Sequence, residues 1–150
     1  MEIDQEIGNN EKMSELEQHD QRYIEGIKCF NECEFFEAHD IWEELWADYR
    51  GPSREFYQGL IQVAVALYHF GNGNIRGARK LYVSSRNHLQ SYRPKHLDCD
   101  LELLFAEMEE CFSEVLVSSE EFPRIDLDPE MLPEIHLKSS SAANDPVGPS

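Results

Sequence analysis

The sequence predicts an all-α fold: a single-domain antiparallel bundle of about five helices. Three observations carry that expectation. Apolar residues recur at three- and four-residue spacings through most of residues 21–121. No stretch keeps the two-residue alternation of a half-buried strand. Short breaks rich in Gly, Pro, Asn and Ser separate the periodic stretches, as tight connections between antiparallel helices require. The 150 residues suffice for one domain with its own core.

The elements follow in order. Residues 1–20 carry seven acids and one base and read as a flexible acidic arm. A first helix runs from Gln21 to Cys33, with Tyr23, Ile27 and Phe30 on one face and Ile24 adjoining it. A second begins near Phe35 or Phe36 and ends near Tyr49. Arg50-Gly51-Pro52-Ser53 breaks it, and Ser53 is placed to cap the next helix. The third helix, Arg54 to Phe70, is apolar nearly all round and reads as the buried centre. Its Gly59, Ala64 and Ala66 permit close approach by neighbours. Gly71-Asn72-Gly73-Asn74 ends it, with Asn74 as the cap of the fourth helix. That helix, Ile75 to Ser91, turns Ala78, Leu81, Tyr82, Ser85, Leu89 and Tyr92 inward. Pro94 makes residues 93–96 a loop. Asp98 or Asp100 caps the fifth helix, whose apolar stripe runs from Leu101 through Met108 and Phe112 to Leu116. Residues 122–150 form an extended or disordered tail. Its first part holds three prolines and reads as a strap over the bundle; residues 139–150 are low-complexity.

The formal charge of −17 is unevenly placed. Residues 50–97 hold eight bases and one acid, and residues 98–121 hold nine acids and no base. The basic stretch is expected to pack beside the acidic one with charged rims adjacent. The acidic total disfavours nucleic-acid and anionic-membrane partners, while the basic patch leaves a small anionic ligand open. Cys29, Cys33, Cys99 and Cys111 include no Cys-x-x-Cys pair, and Cys29 and Cys33, one helical turn apart, cannot bridge. With no signal-peptide pattern and no membrane span, reduced structural thiols in a cytoplasmic protein are expected, or in the plastid stroma for a plant lineage.

The residues with chemistry lie on two helix faces. In FFEAHDIWEELW, His39, Glu43 and Trp46 fall at i, i+4 and i+7; on the third helix, Gln58, Gln62 and His69 fall at i, i+4 and i+11. Polar side chains among buried helices are costly unless bonded to one another or to a ligand, so the two stripes are expected to face each other. Three readings of that pocket stand side by side. A divalent transition metal (zinc, iron, manganese or nickel) would take His39 and Glu43, with His69 as third ligand. Glu37, about 200° around the helix from His39, is a poorer ligand. A structural network would pair His39 with Glu43 and satisfy it from Gln58 and Gln62. A small organic ligand would be held by Gln58, Gln62, Arg54 and Trp46. Arg54 holds Glu43, Glu44 or an anionic ligand, or else pairs with Asp48 or Glu55. Trp42 and Trp46, four apart, read first as core. His19, His88, His96 and His136 fit no pattern. The sequence HDIWE lacks the second His of HExxH and supports no protease.

The run FNECEFFEAHDIWEELW, then REFYQGLIQVAVALYHF, then GNIRGARKL, resembles the bacterial, archaeal and plastid-lineage family called domain of unknown function 309. His39, Glu43 and Trp46 meet its His-x3-Glu-x2-Trp/Tyr motif. Gly59, Leu60, Ile61 and Gln62 meet its Gly-Leu-Ile-Gln block. Gly73, Asn74, Gly77 and Ala78 meet its Gly-Asn-x2-Gly-Ala block. The likeness runs from Tyr23 to Tyr92. It implies a small helical bundle with a candidate metal-binding motif and no established reaction. The family's Glu after the motif His is Asp40 here, a shorter side chain. Three functions follow as expectations: a metal-dependent hydrolase with Asp40 or Glu37 as base, a non-catalytic helical module that binds a protein partner or a second copy, and a small-ligand sensor.

Overall fold

A computed structural model of the protein describes residues 19–138. Among these residues the chain forms six helices: α1 (Gln21–Asn31), α2 (Phe35–Asp48), α3 (Arg54–Gly71), α4 (Ile75–Leu89), α5 (Leu101–Cys111) and α6 (Ser113–Val117). The all-helical expectation holds, and the N-terminal arm up to residue 18 lies outside the described residues. Helix starts follow the side-chain chemistry closely. Asp20 accepts from the Arg22 backbone N–H, Asn74 from Gly77 and Asp100 from Leu103, each satisfying an otherwise orphaned donor of a first turn. Gly73, at φ +82°, supplies the left-handed residue that ends α3.

Two glycines set the helix spacing. A Cβ on Gly26 of α1 would lie 2.0 Å from the indole Nε1 of Trp42 on α2, and one on Gly59 of α3 would lie 2.5 Å from Leu89 of α4. α3 therefore packs closely against α4 on one side and α2 on the other. The core runs along it: Tyr23, Phe30, Trp42, Phe56, Leu60 and Leu67 are fully buried. Cys99 and Cys111 are buried free thiols, and burial pushes each up to about 12.

The structure departs from the sequence expectation in three places. The fifth helix breaks at Phe112, whose ring is stacked on Tyr82 (4.9 Å between centroids) and set edge-on to Phe70 (5.0 Å), and α6 continues from there. Inserting that ring between two helices takes precedence over helix continuity. Residues 93–100 are not plain loop: β1 (Lys95–His96) pairs antiparallel with β2 (Cys99–Asp100) across Leu97 and Asp98, both at positive φ. That turn shape normally recruits Asn-Gly, so Leu97-Asp98 gave no signal. Finally, Ser53 precedes α3 but makes no side-chain cap bond; its Oγ lies 2.7 Å from Nε2 of His96 instead.

The strap is present. Ile135 exchanges two hydrogen bonds with the Asn31 side chain, Leu137 bridges to Cys99, and the Lys138 N–H donates to the Asp98 carbonyl. It closes over α1, α5 and the hairpin. The charged rims meet as expected at Arg93, which holds Glu102 through two bonds of 2.7 Å.

Candidate ligand groove

α2 reaches the site with a face that adjoins its core face. Phe35, Ala38, Trp42 and Leu45 are buried; His39, Glu43 and Trp46 lie beside them on the side toward α3. On α3, Gln58, Gln62, Val65 and His69 form a half-buried stripe between fully buried neighbours. The two stripes bound two hollows. One, of about 210 Å³, is lined by Phe35, Phe36, His39, Val65, Tyr68 and His69. The other, of about 570 Å³, includes Trp46, Arg54, Glu55, Gln58, His88 and Tyr92 in its wall. No described residue of the strap lines either hollow. By helix register Gln62 lies between them.

The first hollow is apolar with a charged edge. Phe36 and Tyr68 pack ring to ring at 5.4 Å across the α2–α3 seam and stay substantially exposed, 49% and 40%. Beside them His39 places Nε2 3.3 Å from Oε2 of Glu43 and Nδ1 3.3 Å from the Phe36 carbonyl. Both ring nitrogens face oxygen acceptors. His69 lines the same hollow, and its Nδ1 lies 3.4 Å from the Asn74 amide. The three predicted metal ligands are thus divided between a bonded pair and a neighbour with its own partner. Among the described residues, no three His, Cys, Asp or Glu side chains gather as a metal-holding set.

The second hollow is more polar than the first, and several of its polar side chains are already engaged. The Arg54 guanidinium sits 3.8 Å above the Trp46 ring and its Nε donates to the Tyr49 carbonyl at 3.0 Å. It forms no ion pair with Glu43, Glu44, Asp48 or Glu55, correcting the partners the sequence suggested: a base in the first turn is better placed over an aromatic ring than beside repelling helix N–H groups. His88 reaches Glu55 at 3.9 Å, and the Tyr92 hydroxyl donates to the Pro52 carbonyl. Between the hollows, Gln62 keeps a buried Oε1 that has no hydrogen-bond partner among the described residues.

Sequence reasoning missed four of these residues. Phe36 marks a helix start and Tyr68 lies off the Gln58–Gln62–His69 stripe, so the periodicity assigns neither to the pocket. His88 and Tyr92 come from α4 and the turn after it, outside the two motif helices. His96, also unassigned, is structural: its ring packs against Phe56 and Tyr92 (4.8 and 4.5 Å), and burial lowers its pKa.

Residues 23–81 match the family model described as domain of unknown function (DUF309). This stretch of the chain is similar to that family. It holds all of α2 and α3 and the first half of α4, hence most of the groove. Over 59 residues the chain is 41% identical to an uncharacterized protein, YpuF, of Bacillus subtilis (strain 168), covering 39% of this chain and 34% of that protein. Over 47 residues it is 39% identical to an uncharacterized protein of Aquifex aeolicus (strain VF5), covering 31% of this chain and 14% of that protein. The chain thus spans about a third or less of the relatives it matches. Among the described residues no helix is long and apolar enough to cross a membrane.

Proposed function

We propose that this domain is a non-catalytic binding module, and that the α2–α3 groove takes a small organic ligand with an apolar end and a donating amine or amide head. The apolar end fits the hollow of Phe36, Val65 and Tyr68. The head would be taken by acceptors beside that hollow: Gln62 Oε1, one turn before His69's stripe neighbour Val65, and the Glu43 carboxylate that pairs with His39. The observation that carries this reading is the Gln62 acceptor, unpartnered among the described residues. Burying such an atom unbonded costs about 1–3 kcal/mol, a cost that a ligand donor offsets. The test is a thermal-shift panel of aliphatic and aromatic amines and amides on the wild-type chain and on Gln62→Leu. One class raises Tm in the wild type and loses that effect in the variant. A panel flat in both overturns the proposal.

A second reading, a divalent transition metal such as zinc, iron, manganese or nickel at His39 and Glu43, is favoured by the two acceptors that face the His39 ring. Its coordination would be completed from His69 or from the ligand itself. Elemental analysis of chain purified without chelator, beside His39→Ala, decides it. Near-stoichiometric metal lost in the variant supports it and would open a screen for hydrolysis; no metal in either protein overturns it.

A further inference from the structure

A hollow of about 890 Å³ opens between the start of α4 and the beginning of the strap. It shares no lining residue with either hollow of the α2–α3 groove. Arg76, Lys80 and Arg124 line it, and none of its lining residues is acidic. Arg79, also in the wall, is engaged: it donates twice to the Val115 carbonyl, at 3.1 and 3.2 Å. The other three bases are exposed and form no ion pair among the described residues.

Two features set this cluster apart from a solvated basic face. In a chain with 30 acids and 13 bases, α4 carries no acid at all. Arg76 and Lys80 stand one turn apart, about 6 Å along the axis, so like charges repel where an acid at that spacing would attract. The wall beside these cations is also apolar. Phe122 is 70% exposed, with the Arg76 guanidinium 5.1 Å from its ring centroid, and Val83 is 49% exposed. An occupant that answers both features joins a multivalent anion to an apolar body.

We infer that this cleft binds a soluble organic phosphate: a phosphate monoester on an aromatic or short aliphatic body. The dianionic head offers several acceptor oxygens at once, which suits two forked guanidinium groups and an ammonium better than a single carboxylate does. The body lies against Phe122 and Val83 and removes their apolar surface from water. The volume falls within the roughly 300–1,000 Å³ of clefts that hold small molecules. The net charge of −17 opposes approach to an anionic bilayer, which makes a free ligand rather than a lipid headgroup the source. Arg76 and Lys80 belong to α4 and Arg124 and Phe122 to the strap, so the ligand bridges the two elements.

Isothermal titration of the full chain with phenyl phosphate and with inorganic phosphate tests this, beside sedimentation with phosphatidylcholine vesicles that contain phosphatidic acid. Phenyl phosphate should bind about tenfold or more tighter than inorganic phosphate, through burial of its ring. Arg76→Ala/Arg124→Ala should weaken phenyl phosphate by about tenfold or more. Phe122→Ser should abolish the preference for phenyl phosphate and leave the weaker binding of inorganic phosphate in place. All three substituted residues are exposed, and circular dichroism checks that the fold is kept. No binding of phenyl phosphate, equal affinity for the two phosphates, an affinity indifferent to the double substitution, or binding to the vesicles alone each overturn the inference.

Discussion

Trp42 and Trp46 sit one turn apart on α2, about 40° apart around its axis, and serve different parts of the molecule. Trp42 is fully buried, wedged against Gly26, and its Nε1–H donates to the Tyr23 carbonyl at 3.2 Å. Trp46 is half-buried and lies under the Arg54 guanidinium at the wall of the groove. The rotation between successive turns is enough to move a side chain from the core to the site. One helix can therefore hold the α1–α2–α3 core and shape a groove beside it, and a substitution at one position should leave the other job intact. Trp42→Ala is the strongest test of that separation. Truncating a buried indole should cost about 3–5 kcal/mol, read as a lowered urea midpoint. Gly26→Ala should act through the same contact from the other side. Its new methyl meets a ring with nowhere to move, so about 1–3 kcal/mol or more is lost. A Gly26→Ala protein as stable as wild type would show that α1 and α2 are less closely packed than the 2.0 Å approach requires.

The groove side of the comparison makes a prediction of opposite sign. Gln62→Leu removes a buried acceptor that has no partner among the described residues and keeps the side-chain bulk. Stability should rise by about 1–2 kcal/mol, while any ligand dependence of Tm disappears. That pairing of greater stability with lost binding is expected of a site, not of a structural network. If Gln62→Leu destabilises the chain instead, the amide is holding a helix partner and the network reading of the His39–Glu43 stripe gains.

Histidines divide in the same way as the tryptophans. His96 is held against Ser53, Phe56 and Tyr92, and burial lowers its pKa below the ordinary value of about 6.5. The unfolded chain therefore binds a proton at a higher pH than the folded one. Its contribution to stability is complete above about pH 6.5 and is lost as pH falls below that value, through the lowered folded pKa. Since the ring is only partly sheltered, the loss should be small. Urea midpoints for wild type and His96→Gln should converge between pH 7 and 5. A gap that stays constant across that range would place the ring's protonation outside the folding equilibrium.

The helices were readable because each announced itself locally. The spacing of apolar residues places α1 to α4 within a few residues, Asn74 caps where the sequence placed it, and of the two candidates Asp98 and Asp100 it is Asp100 that caps α5. The two stripes were readable for the same reason: His39, Glu43 and Trp46, like Gln58, Gln62 and His69, are set by periodicity along single helices. What was not readable depends on which helix faces which. His88 and Tyr92 reach the groove from α4 and the turn after it, and Arg54 takes Trp46 and the Tyr49 carbonyl rather than a carboxylate. Ser53 abandons its cap for a histidine 43 residues away. The break at Phe112 likewise follows from a contact with α4 that no local window contains.

The smallest effect is the one that isolates the groove wall. The Arg54–Trp46 stack is partly exposed, so Trp46→Phe or Trp46→Ala should shift stability by only ~0.5–1 kcal/mol. The chain has two tryptophans, which makes the same variants optical reporters. With Trp46 removed, the remaining emission comes from Trp42 and should be blue-shifted and resistant to acrylamide. With Trp42 replaced by Phe, the remaining emission should be red-shifted and quenchable. Arg54→Ala in that single-tryptophan background should raise the quenching of Trp46 by uncovering the ring face, with little change in the urea midpoint. A Trp46 signal that is already shielded and unmoved by Arg54→Ala would mean that the second hollow is closed in solution. Any ligand would then be confined to the hollow between Phe36 and His69.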